Sequence, residues 1–284
     1  MRLRPRSLAY LGTPAMSVPP LEALHAAGFE IRLVVTNPDR RRGRGRATQP
    51  SPVKEAATAL GIPVSHEVDD VLAADVDLGV VVAFGQIIRP HVLAAVPMVN
   101  LHFSLLPRWR GAAPVERAIL AGDERTGVDL MVVEEGLDTG GVLARTELPI
   151  GPDEYADRLR ERLVDAGTHL LVGGLRTGLG DPVPQVGEPV YAHKLTTEDL
   201  HIDWSAPMEQ IHRQVRVGGA WTTWNGKRFK IWRTARMPLD GGIHHPTGTT
   251  PIELLEVQPA GKPRMDAEAW ARGARWSDGD RLGT

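Results

Sequence analysis

The 284-residue sequence contains no cysteine. That absence excludes disulfides, thiol catalysis and cysteine-ligated metals together, and it fits a reducing compartment. No apolar run approaches the roughly 20 residues of a membrane-spanning helix. The basic start Met1-Arg2-Leu3-Arg4-Pro5-Arg6 is followed only by Ser7 to Gly12 before Thr13-Pro14, too short for a secretory leader, so the expected location is the cytoplasm. Gly12 is the only glycine of the first turn, and the Gly-x-Gly-x-x-Gly dinucleotide fingerprint is missing, which argues against a nicotinamide or flavin enzyme. No serine or cysteine sits in a Gly-x-Ser-x-Gly elbow, so a nucleophile for acyl-type chemistry comes from a substrate. A strong charge imbalance is lacking too. The formal net charge of −2 argues against a protein coated in nucleic acid but leaves room for a local basic patch.

What is present reads as an α/β chain long enough for two cores. Leu8 to Gly12, Ile31 to Thr36, Leu78 to Ala83 and Val96 to Leu101 are short apolar runs of the kind that form buried parallel strands. Helices are expected over Val18 to Ala27, over Pro52 to about Leu60 with Ser51 as N-cap, from Pro90, and over Ala113 to Ala121. Val128 to Val133 and Val142 to Ile150 are further strands, and Asp153 to Leu175 carries Leu159, Leu163, Ala166 and Leu170 at helical spacing. Pro182, Pro184, Gly187 and Pro189 mark an extended, unpacked linker. Beyond it a helix ends near Val215, and Ala220 to Trp224 and Arg228 to Trp232 flank Asn225-Gly226, a hairpin signal. Glu253 to Pro259 is read as a last strand and Met265 to Gly273 as a terminal helix. The expected domains are 1–182 (catalytic), 183–203 (linker) and 204–284 (a β domain). The fold class is a Rossmann-like open, mostly parallel sheet followed by a small β-barrel-like unit.

Two basic features stand out. Arg40, Arg41, Arg42, Arg44 and Arg46 put five arginines in seven positions, spaced by Gly43 and Gly45, with no acidic residue from 40 to 54. This reads as a mobile basic loop suited to phosphate contacts, or as a solvated charge run. Lys227, Arg228 and Lys230 interleave with Trp221, Trp224 and Trp232, as in a surface that carries an RNA backbone; the tryptophans also fit a core. The adjacent His244-His245 pair lies on a Pro/Gly loop with no cysteine available, so no metal site is expected.

The chemistry concentrates between Asn100 and Gly140. Asn100 and His102, two apart at a strand's carboxyl end, share a face, at the edge where open α/β sheets bind ligands. An amide can hold a developing oxyanion, an imidazole can take a proton, and Asp138 could orient that imidazole. The same residues also fit a strand end satisfied by backbone with Asp138 as a turn residue. An apolar loop, Phe84-Gly85-Gln86-Ile87-Ile88, leaves the Leu78–Ala83 strand at the same edge and suits a flat heterocycle, or simply packs on the core.

The full pattern, Asn100-x-His102-x-Ser104-Leu105-Leu106-Pro107-x-x-Arg110-Gly111 with Gly136-Leu137-Asp138-Thr139-Gly140, resembles the folate-dependent formyltransferases. Arg108 to Pro114 is most similar to the branch of that family acting on methionyl-tRNA. The resemblance runs from Leu8 to about Trp276. It implies Asn100, His102 and Asp138 as the catalytic trio. It implies a site for the donor 10-formyltetrahydrofolate at Phe84, Gln86, Ile87, Ile88, Ser104, Leu105, Leu106, Pro107 and Glu135. It also implies tRNA contacts from the arginine run, Arg110, Lys227, Arg228 and Lys230, in an OB-type C-terminal domain. The implied reaction moves a formyl group to the α-amine of methionyl initiator tRNA, with no metal and a monomeric enzyme. A small-amine acceptor such as an amino-sugar nucleotide, or a non-catalytic RNA-binding relative, are the alternatives. Two departures from the family pattern appear. Phe103 replaces a small residue and could alter the pocket beside His102. The stretch from Met237 to Ile252 is short, so the barrel is either incomplete or closed differently.

Overall fold

Leu8, Ala9, Tyr10 and Leu11 are completely buried, as a strand must be when both faces of its sheet are covered. They form β1 (Ser7–Gly12), the centre of the larger sheet in the computed structural model, which describes residues 4–41, 48–236, 242–277 and 279–283. The chain continues through α1 (Val18–Ala26), β2 (Glu30–Val35), β3 (Arg40–Arg41), β4 (Thr48–Gln49), α2 (Pro52–Ala59), β5 (Val64–Ser65) and β6 (Leu78–Val82). Then follow α3 (Pro90–Ala95), β7 (Met98–His102), β8 (Arg110–Gly111), α4 (Pro114–Ala121), β9 (Arg125–Val132), β10 (Val142–Pro149) and α5 (Ala156–Thr177). The last part holds β11 (Tyr191–Ala192), α6 (Met208–Arg216), β12 (Trp221–Trp224), β13 (Lys227–Ala235), β14 (Ile243–His245), β15 (Ile252–Pro259), β16 (Met265–Asp266) and α7 (Ala267–Ala274). Among the described residues no helix is long and apolar enough to cross a membrane.

Seven strands form the first sheet in the order β10-β9-β7-β6-β1-β2-β5. β5, β2, β1, β6 and β7 are parallel, and β9 and β10 add antiparallel to the β7 edge. From β1 the chain builds outward to β2 and β5, then returns to the other side of β1 for β6 and β7. That reversal leaves a crevice beyond the strands' carboxyl ends. Ser17 ties the first turn to this edge: its hydroxyl donates to the Val82 carbonyl at 2.7 Å, and its own carbonyl accepts from Tyr10 at 2.5 Å. The Ser51 cap is present, accepting the Lys54 amide at 3.0 Å.

Contacts divide the chain into two compact units. One comprises 1–114, 125–149 and 160–192; the other comprises 115–124, 150–159 and 193–284. The second unit is an antiparallel sheet, β12-β13-β15-β14, with β16 beside β15. Its core joins Phe229, Ile231 and Val257 to Met208, Ile211 and Val215 of α6 and Trp270 of α7. Among the described residues β12 and β14, the two ends of that order, do not pair with each other.

Several local expectations change. The basic loop begins and ends as a ribbon, because Arg40 and Arg41 pair with Gln49 and Thr48; Arg42, Arg44 and Arg46 lie outside the described residues. Helix α5 buries Leu159, Leu163, Leu171 and Leu175, while Ala166 and Leu170 are only half-buried. Gly167 lets the helix approach Val128. The Pro-rich stretch is extended and largely exposed, but its backbone is tied down: Val183 pairs with Val142, and Tyr191-Ala192 pairs with Arg110-Gly111. His244 and His245 lie in β14 rather than a loop, and β15 is followed by β16. Among the described residues both short strands pair only with β15, so local composition could not show them. The Asn225-Gly226 turn has positive φ at both residues, 51° and 68°, as a two-residue hairpin requires.

Candidate active site

β7 carries Asn100 and His102 toward the carboxyl edge, and the loop after β9 brings back Asp138. His102 is buried, and its Nε2 lies 2.8 Å from the Trp109 carbonyl. A carbonyl only accepts, so Nε2 holds the proton and Nδ1 is the nitrogen left to exchange one. Nδ1 faces Asp138 Oδ2 at 3.6 Å, close enough to stabilise a charged ring but too long for a hydrogen bond. The same Oδ2 accepts the Gly111 amide at 2.8 Å. The Asn100 side chain is half-buried and makes no hydrogen bond to a described residue, leaving its amide for a ligand.

Sequence reasoning expected Asp138 to orient the imidazole. Here the Trp109 carbonyl does that directly. Trp109 (φ 66°) and Asp138 (φ 51°) are both left-handed, a conformation that costs a non-glycine residue on the order of 1–2 kcal/mol. Such positions persist where surrounding contacts over-determine them. Gly140 is part of that support, since a Cβ there would sit 1.9 Å from the Val132 carbonyl.

The Ser104–Pro107 turn is held from beneath. Ser104 is fully buried and its hydroxyl donates to the Arg108 carbonyl at 2.6 Å. Leu106 is buried, while Leu105 and Pro107 are half-buried; the Leu106–Pro107 bond is cis. Asp129, fully buried on β9 and directly opposite His102, accepts the Leu106 amide at 2.9 Å. Its carboxylate is gripped by Arg145 at 2.7 and 2.6 Å, and Arg145 also donates to the Leu106 carbonyl at 2.7 Å. The carboxylate beside it raises the Arg145 guanidinium further above its ordinary range. Asp129 had one legible signal, a charge between Val128 and Leu130 in an apolar strand; Arg145 had none.

The other expected ligand positions are spread unevenly. Phe84 and Ile88 pack against the core formed by Ala9, Leu11, Val81 and Met98, as the core-packing reading of that loop expects. Ile87 is 87% exposed. The Gln86 side chain donates to the His66 carbonyl, and Glu135 is exposed. Phe103 is buried, so its ring packs inside and does not stand open beside His102. Arg110 spends Nε and Nη2 on Gln185 Oε1, at 3.1 and 2.6 Å.

In the second unit the basic residues divide by strand parity. Phe229 and Ile231 point into the core, so Arg228, Lys230 and Trp232 share the outer face and Lys227 points the other way. On that outer face Arg228 lies 4.1 Å over Trp221, and Lys230 and Arg264 lie 5.2 and 3.4 Å over Trp232. Arg264 was not expected there. Trp221 and Trp232 are half-buried on this face, whereas Trp224 packs on the core beside Trp270.

An open α/β sheet presenting an amide, an imidazole and a carboxylate at its carboxyl edge suits a group transferase for acyl-type chemistry. The family model described as formyl transferase matches residues 8–175, and that described as formyl transferase, C-terminal domain, matches residues 194–275. A methionyl-tRNA formyltransferase of Heliobacterium modesticaldum is 43% identical, over 97% of this chain and 99% of the relative. The chain belongs to the formyl transferase family, among the methionyl-tRNA formyltransferases. Solved structures share the fold at low identity. One is HypX of Aquifex aeolicus, solved with tetrahydrofolic acid (TM-score 0.66, 15% identity), where 95% of this chain covers 47% of that one. Another is WlaRD, a sugar 3N-formyl transferase solved with dTDP and 5-N-formyl-THF (TM-score 0.63, 17% identity, 90% and 98% coverage).

Proposed function

We propose that this enzyme transfers the formyl group of 10-formyltetrahydrofolate to the α-amine of methionyl initiator tRNA, in the cytoplasm, and that Asn100, His102 and Asp138 carry the reaction. One observation supports the trio above all: His102 is hydrogen-bonded through Nε2 to a backbone carbonyl, which leaves Nδ1 facing a carboxylate. The neutral amine attacks the formyl carbon, and the oxyanion of the tetrahedral intermediate is held by the Asn100 amide. His102 takes the proton lost by the attacking nitrogen, with Asp138 stabilising the imidazolium, and delivers it to N10 as the formyl–N10 bond breaks. The products are formyl-methionyl-tRNA and tetrahydrofolate, with atoms and charge balanced and no metal used. The folate lies against Phe84 to Ile88 and the Ser104–Pro107 turn. The arginine run and the Arg228–Lys230–Trp232 face supply phosphate and stacking contacts to the RNA.

Purified protein given labelled 10-formyltetrahydrofolate and methionyl-tRNA should form formyl-methionyl-tRNA and leave an amino-sugar nucleotide unformylated. Formylation of the sugar alone would replace the acceptor in this reading, and formylation of neither would overturn it.

A further inference from the structure

Gln185 lies in the Pro-rich stretch, where nothing in the sequence suggests chemistry. Its side chain makes four hydrogen bonds, the full capacity of an amide that donates two and accepts two. Nε2 donates to the Asp138 carbonyl and to the Gly140 carbonyl, each at 2.8 Å. Oε1 accepts from Arg110 Nε and Nη2 at 3.1 and 2.6 Å. The two segments it joins both touch the imidazole. Asp138 faces Nδ1, and the Trp109 carbonyl, one residue before Arg110, holds Nε2.

Neither segment holds its shape by local preference. Trp109 and Asp138 both occupy the left-handed region, and neither lies within a regular element. The flanking backbone of the same stretch adds to the clamp: Val183 exchanges both its amide and carbonyl with Val142 at 2.8 Å, Val190 accepts the Arg110 amide, and Ala192 accepts the amides of Ala112 and Ala113. Those bonds fix residues on either side of the two loops. Among the described residues, Gln185 alone hydrogen-bonds the Asp138 backbone itself.

From this we infer that Gln185 is a positioning residue for catalysis: it ties the Asp138 loop to Arg110 and so sets the distance from the carboxylate to His102. This rests on the formyl-transfer reading above. An amide is required, because the site needs donors toward two carbonyls and an acceptor toward a cation on one flat group. Glutamate at this position keeps the volume and the Arg110 contact but turns an oxygen toward two carbonyl oxygens. A displacement of the carboxylate by about 1 Å is enough to lower turnover on the order of 100-fold.

The test has a part that needs no reaction. The Gly111 amide donates to Asp138 Oδ2, so its hydrogen exchange reports whether the carboxylate stays in place. In Gln185→Ala that amide should exchange at least ten-fold faster while β1 amides remain protected. Turnover should fall 30- to 100-fold, with the KM values for folate donor and methionyl-tRNA changed less than three-fold. In an Asp138→Asn background the same substitution should cost less than three-fold, since a residue acting through Asp138 has little left to act on. Should Gln185→Ala not fold, Gln185→Glu carries the same three measurements. Unchanged Gly111 exchange, or an equal loss of turnover with and without the Asp138 carboxylate, overturns the inference. An inactive wild-type protein with accelerated Gly111 exchange in the variant would instead remove the formyl-transfer reading and keep Gln185 as the clamp on Asp138.

Discussion

Each unit buries a histidine beside an aspartate, and the two pairs are built for opposite ends. In the first, His102 bonds one backbone carbonyl and keeps Nδ1 3.6 Å from Asp138. In the second, both nitrogens of His212 are occupied, by the Thr234 hydroxyl at 2.9 Å and Asp153 at 3.1 Å. Burial pushes His212 down to about 4, with Arg216 second in effect. Asp153 is itself gripped by Arg236, whose hydrogen bond lowers the carboxyl further. A His–Asp pair is therefore no signature of catalysis. A ring nitrogen without a hydrogen-bond partner is the informative feature, because a fully bonded ring has no site left for a reactant's proton.

That contrast can be broken most directly by truncating each ring. His102→Ala should lose on the order of 100- to 10,000-fold in turnover with little change in melting temperature, and Asp138→Asn should behave alike. His212→Ala should do the reverse. It should retain the kcat of its folded fraction while losing roughly 3 kcal/mol of stability, from a cavity and two unmet partners. Thermal melts beside single-turnover rates decide it, and comparable turnover losses in both variants would remove the distinction.

Removing a charged clamp sharpens the first region. Arg145→Met leaves Asp129 buried without its cation, expected to cost about 2–3 kcal/mol, less than for a fully buried pair because Arg145 is partly exposed. The Leu106 turn should loosen, so the KM for the folate donor should rise more than that for tRNA. Chemical denaturation and steady-state kinetics measure the two effects.

Acid sharpens the second region. His212 and His245 both sit near 4 in the folded protein because burial disfavours their charge, against an ordinary value of 6.5. Above pH 6.5 folded and unfolded forms are both neutral, and stability is unaffected. Between 6.5 and about 4 only the unfolded chain takes up these two protons, so stability falls across that window, by up to a few kcal/mol in all, and the histidines' contribution levels off below it. Melts at stepped pH should show this loss. Substituting His212 by glutamine should remove part of the slope.

The smallest effects belong to the cations expected to meet the RNA. Replacing Arg228 and Lys230 by alanine should flatten the log-affinity against log-salt slope for methionyl-tRNA by about one to two units, and Lys227→Ala should change it less, because it points to the other face. Replacing Arg42, Arg44 and Arg46 together should flatten it by about two to three units, leaving folate binding unchanged. Equal slopes in all variants would reduce these residues to solvated charge.

The amino-acid order alone determined the parallel core, since four apolar runs can be buried only on both faces of one sheet. It also determined the Asn225-Gly226 hairpin, whose turn needs two positive φ angles. Asn100, His102 and Asp138 were legible as candidates because chemistry restricts their residue types and one strand sets the spacing of the first two. What holds them was not legible. Gln185 lies 47 residues from Asp138 with no local pattern to mark it, and the Trp109 carbonyl is a backbone group that any residue would supply. Phe103 read as a bulky ring that could alter the pocket beside His102; that it is buried is a matter of which way one ring turns after a strand ends. The short strands β14 and β16 form only because β15 offers them unpaired backbone. Local sequence restricts φ, ψ and burial periodicity, while hydrogen bonds between distant segments form only once the chain has closed around them; the trio belongs to the first kind and its support to the second.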